Sequence, residues 1–564
     1  NTLSSTKDNL VWVAGTINVS ANQNRVGGLV GEGNIVAGVD LVTNNANITV
    51  KGNAMVGGAV GYSDNFIGRI VLNNANVEGV YAVGGVVGYG DVASTVLNNA
   101  TVNATGKALS EDEVNAYFSQ YYKVQGKTLT WYLYEGIKPS GTGDGNNTYA
   151  FAGGGSGALR RDDADQKNRF EINNLNLTAN GRSVGGGFGA VLLKYGVDLT
   201  KDNKPREFIV ALYGSGGIDI KNSAISSNSD CVGGFIGYSC YADIYNGAAV
   251  TTDSVIINGL SYVGGFAGKV EEGDILGQFS LKGNENQKIT GSSYVGGVVG
   301  YIDGSILKKK KSSFNNNTNL HTSIVVSNVI VVGDSSTGSY VGGVAGYVCE
   351  SIDVERIQVL FSDSTYSISG NAYIGGVAGY VAGGFDTVKK PSTGNEEIFG
   401  QNDRNNDFDK TNNSYAYHYP LVDGANQDAK YVSGATSGYT GGGVDIQNGV
   451  ASINGNSNVG GAFGYVGYAE VNGNIENIAV NGGTKTGGVA GEAVTMETAE
   501  AVLKTNKDEN GLNILVTASG DYTGGFVGYL HGVCYSGSYR GIRVGGTNYV
   551  GGVVGYSKGG SIYS

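Results

Sequence analysis

A six-residue segment of the form Val-Gly-Gly-x-x-Gly recurs along the chain, with Ile or Thr replacing Val in three copies. Neighbouring copies lie as close as 27 residues apart, as in the step from Val56 to Val83. A period of this length is typical of solenoids, in which each repeat forms one coil. Three glycines in six residues argue against a helical repeat, because each costs about 1 kcal/mol relative to alanine in a helix. The thirteen clean copies begin at Val26, Val56, Val83, Val184, Val232, Val263, Val295, Val341, Ile374, Val459, Thr486, Thr523 and Val550.

The rest of each repeat completes the prediction of the fold. β-branched runs such as residues 70–74 and 95–99 precede the glycine segments, so three short strands per coil are expected. Degenerate copies at Ala152 and Thr440 fill the two widest gaps and raise the coil count to about fifteen. We therefore predict an all-β, right-handed parallel β-solenoid of about 13 to 15 coils that forms a single domain over residues 1–564. Irregular insertions are expected at about 104–150, 191–212, 302–325 and 381–439.

Composition supports a folded chain and argues against several function classes. The 97 glycines are accompanied by only 4 prolines, unlike collagen or a proline-rich disordered chain, and 40% of the residues are hydrophobic. The net charge of −12, with Lys and Arg scattered except at residues 308–311, argues against a nucleic-acid partner. No apolar run reaches the roughly eighteen residues that a transmembrane helix needs, so no membrane span is predicted.

The glycine segment itself is predicted to be a strand with an unusual pattern. Residues two apart in a strand share a face, yet both middle positions are apolar, as in Phe235 and Ile236. Such a strand is either bent, so that both residues reach one core, or apolar on an outer face that an insertion or another protomer covers. The flanking glycines allow close backbone approach or a sharp corner. The glycines that carry this interpretation are Gly27, Gly28, Gly57, Gly58, Gly84, Gly85, Gly264, Gly265, Gly296, Gly297, Gly342, Gly343, Gly551 and Gly552.

A tyrosine follows the last glycine in nine of the clean copies. Stacked coils would align these rings in a ladder along the solenoid. Ring stacking contributes about 0.5 to 1.5 kcal/mol per pair beyond the burial of area, so stability alone explains such a ladder. The alternative is a strip of exposed rings that binds sugars, and the exposure of the rings distinguishes the two. The nine residues are Tyr62, Tyr89, Tyr238, Tyr301, Tyr347, Tyr380, Tyr465, Tyr529 and Tyr556.

Two copies, residues 294–301 and 549–556, read Tyr-Val-Gly-Gly-Val-Val-Gly-Tyr and resemble the GLUG repeat of bacterial surface proteins. The resemblance extends over nearly the whole chain. It departs from the family after the glycine pair, where the common Leu survives only at Leu29, and in the preceding strand, where residues 72–74 read Leu-Asn-Asn in place of an isoleucine-Asn-Cys pattern. The resemblance implies a secreted or surface-displayed protein, commonly an adhesin or a stalk, with no catalytic residues to transfer.

Alternating oxygen-bearing side chains in the longest insertion offer the hard ligands that calcium prefers. They are Asp403, Asn405, Asp407 and Asp409. An EF-hand loop beginning at Asp403 would need Gly at position 408 and Glu at position 414, where the chain has Phe and Ser. A solvated polar loop is therefore favoured, and calcium is the one cofactor that the sequence brings into consideration.

Other candidate chemistry has weaker support. Asp162, Asp163 and Asp165 lie beside two arginines and are candidates for a glycosidase-like acid pair, although a solvated turn is favoured. Residues 110–121 have the capping box of a short amphipathic helix that would cover the rod. Neither a zinc spacing nor a partner motif for nucleophilic catalysis accompanies the histidines and cysteines, which are His321, His418, His531, Cys231, Cys240, Cys349 and Cys534.

These observations favour a non-enzymatic extracellular structural or adhesive protein that forms a rod, stalk or filament subunit on the bacterial surface. Its expected partners are further copies of the chain or ligands on a host or matrix surface. The alternatives are a glycan-active β-helix enzyme, such as a polysaccharide lyase or hydrolase, and a solenoid that binds carbohydrate along its tyrosines.

Overall fold

The computed structural model describes the chain between residues 10 and 563 with gaps, and the regular elements in the described part are all strands. Within these residues, no helix is long and apolar enough to cross a membrane. The helix predicted at 110–121 and much of the four predicted insertions fall outside the described residues. Besides residues 1–9 and gaps of one to three residues, the segments outside the description are 34–39, 109–122, 129–147, 162–168, 194–205, 211–216, 312–318, 387–407, 410–413, 416–443 and 505–514.

The coils contribute strands to three parallel sheets, which confirms the predicted β-solenoid. The first is the V-G sheet, formed by the strand that ends at the first glycine of each repeat. Its strands follow chain order, so each coil lies directly on the previous one. The fourteen parallel strands of the V-G sheet are Val26–Gly27, Ala54–Gly57, Tyr81–Gly84, Thr148–Gly153, Arg182–Gly185, Val232–Gly233, Ser261–Gly264, Ser293–Gly296, Ser339–Gly342, Ala372–Gly375, Ser457–Gly460, Thr484–Gly487, Asp521–Gly524 and Asn548–Gly551.

The second is the G-Y sheet, whose main strands begin after the glycine pair and carry the last glycine and the residue that follows it, with three short strands farther along the chain added to it. Its strands also pair in parallel with the equivalent strand of the next coil, as Val60–Tyr62 does with Val87–Tyr89. The strands of the G-Y sheet are Val30–Glu32, Val60–Tyr62, Val87–Tyr89, Ser156–Arg161, Phe188–Leu193, Ile236–Cys240, Ala267–Glu271, Val299–Ile302, Ala345–Val348, Ser351–Asp353, Ala378–Asp386, Phe463–Glu470, Ala490–Glu497, Val527–Leu530, Cys534–Tyr535, Val554–Ser557 and Ile562–Tyr563.

The third is the base sheet, formed by the β-branched runs that precede the glycine segments. A left-handed residue such as Asn74 (φ 56°) or Asn99 (φ 53°) bends the chain between two segments of a coil. Neighbouring coils share side-chain hydrogen bonds, and Asn98 Nδ2 donates to Asn73 Oδ1 at 2.9 Å. The strands of the base sheet are Leu10–Val13, Thr16–Ser20, Asp40–Thr43, Asn47–Lys51, Ile67–Asn73, Ala75–Gly79, Val92–Ala104, Arg169–Ala179, Arg206–Val210, Ile218–Lys221, Ala224–Ser227, Ala242–Asp253, Ile256–Asn258, Ile275–Lys282, Lys288–Thr290, Ser323–Ser327, Ile330–Val332, Arg356–Leu360, Ser367–Ser369, Val444–Gln447, Ala451–Asn454, Gly473–Glu476, Ile478–Gly482, Ala501–Lys504, Leu515–Ala518, Ser538–Tyr539 and Arg543–Gly545.

Antiparallel pairing in the described residues involves only short strands that are not part of the coil-to-coil parallel ladders. One such strand, Lys107–Ala108, adds to the V-G sheet beside Thr148–Gly153. The others form isolated two-stranded pairs within or beside the predicted insertions. These pairs are Lys123–Val124 with Lys127–Thr128, Lys309–Lys311 with Asn319–His321, and Phe408–Asp409 with Ser414–Tyr415.

The two degenerate copies of the repeat have different outcomes. Ala152 forms a coil, because it pairs with Val83 in the V-G sheet. Thr440 lies outside the described residues, and within those residues Val459 pairs directly with Ile374 in the V-G sheet. The described part of the V-G sheet contains fourteen coils, within the predicted range of 13 to 15, and at about 4.8 Å per coil they make a rod about 60 Å long.

The glycine segment is a corner and not one continuous strand. In the second coil the V-G strand ends at Gly57 and the G-Y strand begins at Val60, so the chain turns between them. Both middle residues, Ala59 and Val60, are fully buried, as are Phe235 and Ile236. All four belong to one hydrophobic cluster that continues through the coils. The bent alternative is therefore the right one, and this segment presents no apolar outer face.

The glycine pair is needed because the corner leaves no space for a side chain. A Cβ on Gly57 would lie 2.0 Å from the carbonyl oxygen of Val60, and one on Gly58 would lie 2.2 Å from the carbonyl oxygen of Gly85 in the next coil. Neither glycine has a positive φ, so the requirement is for close backbone approach. Of the fourteen glycines named from the sequence, all except Gly552 have a backbone oxygen within 2.4 Å of the Cβ position.

The first residue of the repeat, which we call the corner valine although it is Ala, Ile or Thr in four coils, follows a residue with a left-handed backbone. This holds in every coil of the V-G sheet. The φ of the left-handed residue lies between 42° and 66°, although none of these residues is a glycine. Such a conformation costs roughly 1 to 2 kcal/mol for a residue with a Cβ, so the packing of the coil must impose it. The fourteen residues are Arg25, Met55, Ala82, Phe151, Ser183, Cys231, Tyr262, Tyr294, Tyr340, Tyr373, Asn458, Lys485, Tyr522 and Tyr549.

Two equivalent glycines in neighbouring coils test the steric explanation. Gly525→Ala is expected to lower the free energy of unfolding by more than about 2 kcal/mol, because the new Cβ would lie 2.0 Å from the carbonyl oxygen of Gly552. Gly552→Ala meets no atom within 4 Å and is expected to be neutral or stabilising by up to about 1 kcal/mol. Urea denaturation followed by circular dichroism measures both variants, and equal losses would contradict the explanation.

Candidate binding surface formed by two tyrosine columns

The tyrosines that follow the last glycine stack in four of the five places where neighbouring coils both carry one, and in the fifth the rings of Tyr529 and Tyr556 are tilted by 31°. The ring centroids of Tyr347 and Tyr380 are 4.7 Å apart with planes 4° apart, and those of Tyr380 and Tyr465 are 4.3 Å apart with planes 11° apart. Tyr62 stacks on Tyr89 at 5.4 Å. We call this row the G-Y column. It is the ladder expected from the sequence, although it is interrupted where a coil carries another residue.

A second row of tyrosines occupies the left-handed position before the corner valine, and we call it the Y-V column. Tyr294 stacks between Tyr262 and Tyr340, with centroids 4.8 Å and 4.9 Å apart, and Tyr340 stacks on Tyr373 at 5.0 Å. Sequence reasoning missed this column. The signal was present in the Tyr-Val-Gly-Gly start of several copies, but a strand pattern does not reveal a left-handed residue that turns its side chain toward the next strand.

The two columns contact each other edge to face. The rings of Tyr340 and Tyr347 are 5.2 Å apart with planes at 82°, and those of Tyr373 and Tyr380 are 5.5 Å apart at 73°. Both geometries are favourable for aromatic quadrupoles. The eight tyrosines between the seventh and eleventh coils form a continuous patch that we call the tyrosine ribbon: Tyr262, Tyr294, Tyr340, Tyr373, Tyr301, Tyr347, Tyr380 and Tyr465.

Exposure of the nine predicted tyrosines limits how the surface can bind a ligand. Tyr89 and Tyr238 are buried at 2% and 0% exposure, and the other seven are half-buried. Within the tyrosine ribbon neighbouring rings cover much of the ring faces, and the half-buried side chains leave part of each tyrosine for solvent. A sugar that stacks on a ring face would find that face occupied. The ribbon instead offers rows of hydroxyl donors spaced by the rise of a coil.

The hydroxyls of the tyrosine ribbon remain protonated at neutral pH. Burial raises the pKa of Tyr294 to about 12, and neighbouring phenols act in the same direction. Burial also raises the pKa of Tyr347 and Tyr380 above the ordinary range. The Tyr301 hydroxyl lies 3.2 Å from Cys349 Sγ. The ribbon is therefore an uncharged surface of hydrogen-bonding groups.

At one end of the tyrosine ribbon, Lys269 takes the place of the tyrosine in the G-Y column, between Tyr238 and Tyr301. Its Nζ lies 5.1 Å from the ring centroid of Tyr262 and 5.5 Å from that of Tyr301, which are cation–π distances. Burial alone would lower the pKa of Lys269, but the Glu271 carboxylate, 3.4 Å from Nζ, outweighs it and raises that pKa. The Tyr238 hydroxyl donates to the same carboxylate at 2.6 Å. The buried lysine is thus paired in the way that buried charges require.

At the other end of the tyrosine ribbon, Glu492 takes the place of the tyrosine in the G-Y column, between Tyr465 and Tyr529. Lys485 Nζ lies 2.7 Å from Glu492 Oε2, Asn458 Nδ2 donates to the same oxygen at 2.5 Å, and His531 Nε2 lies 2.6 Å from Oε1. Burial pushes the pKa of Glu492 upward, but the hydrogen bonds from Lys485 and His531 outweigh it and leave that pKa below its usual value. Sequence reasoning gave His531 no partner, because the partner lies in the previous coil.

The remaining candidate chemistry gains no support from geometry. Among the described residues, no group of three or more His, Cys, Asp and Glu side chains could hold a metal ion. The calcium and glycosidase hypotheses stay predictions, because their residues fall outside the described part. These are the side chains of Asp403, Asn405, Asp407, Asp409, Asp162, Asp163 and Asp165.

The described cysteines do not form a reactive site. Cys231, Cys349 and Cys534 are free thiols. Burial raises the pKa of Cys231 to about 12 and that of Cys534 to about 11, so both are protonated at neutral pH. The thiolate is the reactive form of cysteine, and these two thiols are therefore inert under ordinary conditions.

Tyr347 tests how much the tyrosine columns stabilise the rod. Its ring stacks on Tyr301 and Tyr380 and meets Tyr294 and Tyr340 edge to face. Tyr347→Ala is expected to lower the free energy of unfolding by about 2 kcal/mol, whereas Tyr347→Phe keeps the ring and should change it by less than about 0.5 kcal/mol. Urea denaturation compares them, and an alanine variant as stable as the wild type would contradict a stabilising role.

Alkaline pH should destabilise the fold through the same residues. Because the folded pKa of Tyr294 is about 12 against an ordinary 10.0, the folded chain holds a proton that the unfolded chain releases. Stability is therefore complete below pH 10 and falls as pH rises from 10 through 12. The urea midpoint measured across this window should decline more gently in Tyr294→Phe. A decline of equal steepness in both proteins would remove Tyr294 as a cause.

Comparison of the chain with known proteins yields no relative. No model of a known protein family, no curated protein and no solved structure matches the chain. The resemblance of residues 294–301 to the GLUG repeat therefore remains a prediction from sequence. The function has to be argued from the geometry of the rod and its tyrosine columns.

Proposed function

We propose that the chain is a non-enzymatic structural or adhesive protein that acts as a rigid rod on the outside of a bacterial cell. The observation that carries the proposal is the stacking of fourteen coils in register around one hydrophobic core. Such a solenoid is extended and presents long surfaces, which suits a spacer or a scaffold for binding segments. The extracellular setting rests on the resemblance of the repeat to bacterial surface proteins.

The bend at the glycine pair excludes one way in which rods of this kind could pack side by side. An apolar outer face on the glycine segment would have given neighbouring rods a surface for lateral packing. Both middle residues, such as Ala59 and Val60, are buried within their own coil, so that contribution to assembly is removed. The proposal therefore places specificity for host or matrix ligands in the insertions, with self-association as a second property to be measured.

Carbohydrate binding is the alternative that a specific observation favours. The half-buried tyrosine ribbon carries rows of protonated hydroxyls, which can donate to and accept from sugar hydroxyls. Binding of this kind would follow hydrogen bonds along the rod and not ring stacking. The glycan-active enzyme stays a prediction, since the acids that motivate it lie outside the described residues.

Electron microscopy and binding to immobilised probes test the proposal together. The purified full chain is expected to appear as rods about 60 Å long and to bind at least one of collagen, mucin and a panel of neutral and acidic polysaccharides, without cleaving any. A variant in which a short Gly-Ser linker replaces residues 387–443 should keep the rod and lose binding.

Two controls separate the alternatives. Tyr347→Phe with Tyr380→Phe removes hydroxyls but keeps the rings, so loss of binding in this variant would favour carbohydrate recognition by the ribbon. Release of sugar fragments from any polysaccharide would overturn the non-enzymatic proposal. A globular particle in place of a rod would overturn the structural one.

A further inference from the structure

Tyr380 lies at the tightest point of the G-Y column. Its ring is stacked between Tyr347, with centroids 4.7 Å apart, and Tyr465, with centroids 4.3 Å apart. These are the two shortest ring separations among the described tyrosine pairs. The planes of Tyr380 and Tyr465 differ by only 11°, and both rings are half-buried, so solvent reaches part of each.

The register of the sheet holds the same two rings in equivalent positions. Tyr380 pairs with Tyr465 between consecutive strands of the G-Y sheet, so the two side chains leave the backbone at the same point of their coils. In a phenol the ortho carbons flank the carbon that bears the hydroxyl, and near-parallel stacking with centroids 4.3 Å apart brings the ring carbons of the two phenols, the ortho carbons included, close to one another. The ortho carbons carry much of the unpaired electron density of a phenoxyl radical. Two radicals held in this arrangement are oriented to couple through those carbons.

We propose that Tyr380 and Tyr465 are an oxidative crosslinking site that forms a dityrosine bond when the chain meets hydrogen peroxide and a haem peroxidase. The oxidised peroxidase removes one electron and one proton from each phenol. The two phenoxyl radicals form one carbon–carbon bond between ortho carbons, and the hydrogen on each of these carbons moves to the phenol oxygen as the rings regain aromaticity. The protein loses two hydrogens in total. The peroxide gains two electrons and two protons and becomes two molecules of water.

The place of the pair in the chain gives the bond a structural role. Tyr380 and Tyr465 are equivalent residues in consecutive coils, but 85 residues of chain separate them, the widest step between neighbouring coils of the V-G sheet. A covalent bond at this point would close the loop formed by residues 381–464. Closing a loop of this length restricts the unfolded chain, as a disulfide does. The bond would therefore join the two neighbouring coils that are linked by the longest stretch of chain.

The experiment is oxidation of the dilute full chain with hydrogen peroxide and a haem peroxidase, followed by proteolysis and mass spectrometry. The expected result is dityrosine fluorescence from the monomeric chain and one crosslinked pair of peptides that contain Tyr380 and Tyr465. The pair should be lighter by two hydrogens than the two peptides together. Tyr380→Phe and Tyr465→Phe should each lose this crosslink.

Phenylalanine preserves the stacked ring, so both variants are expected to fold, and circular dichroism checks that they do. Tyr294→Phe is the matched control, because it removes a hydroxyl from the neighbouring Y-V column and should retain the crosslink. The proposal is overturned if the yield of dityrosine is unchanged in Tyr380→Phe. It is also overturned if dityrosine forms only between chains, or only at tyrosines other than this pair.

Discussion

Close approach of the backbone at the glycine pair is the constraint on which the rest of the structure depends. At Gly58 the carbonyl oxygen of Gly85 from the next coil stands where a side chain would be. A corner this tight turns the two following residues into the core and leaves the next coil a single position in which it fits. Register follows from the corner, and the tyrosine columns follow from register. The aromatic contacts stabilise an alignment that glycine sterics already impose.

Charged residues interrupt the tyrosine columns only together with compensating partners. Lys269 has Glu271 and two ring faces around it, and Glu492 has Lys485 and His531. A buried charge without a partner would cost several kcal/mol, so each charged substitution in a column requires a partner in the same coil, as with Glu271 and Lys485, or in the next one, as with His531. Where a charged residue replaces a tyrosine in a column, a residue of opposite charge therefore lies beside it, and the charges of the group nearly cancel.

The fold was predictable from the sequence to the level of sheets and coils, because thirteen copies of one segment mark the period directly. The fourteen coils of the described residues fall within the predicted range, and Thr440 lies outside those residues. The G-Y column was predictable from Tyr347 and its equivalents. The Y-V column and the His531–Glu492 contact were not, because they depend on a left-handed residue before the valine and on contacts between coils that a strand pattern does not contain.

The left-handed position before the corner valine accommodates nine kinds of residue among its fourteen occurrences, and glycine, which adopts this conformation most easily, is not among them. The coil therefore imposes the backbone there without regard to the side chain. A line of fourteen sites runs along the rod at which evolution can exchange charge, size and chemistry one coil at a time. The surroundings differ as well, because this position is exposed at Tyr549 and buried at Phe151 and Cys231. One backbone conformation therefore serves both the outside of the rod and places that the rest of the chain covers.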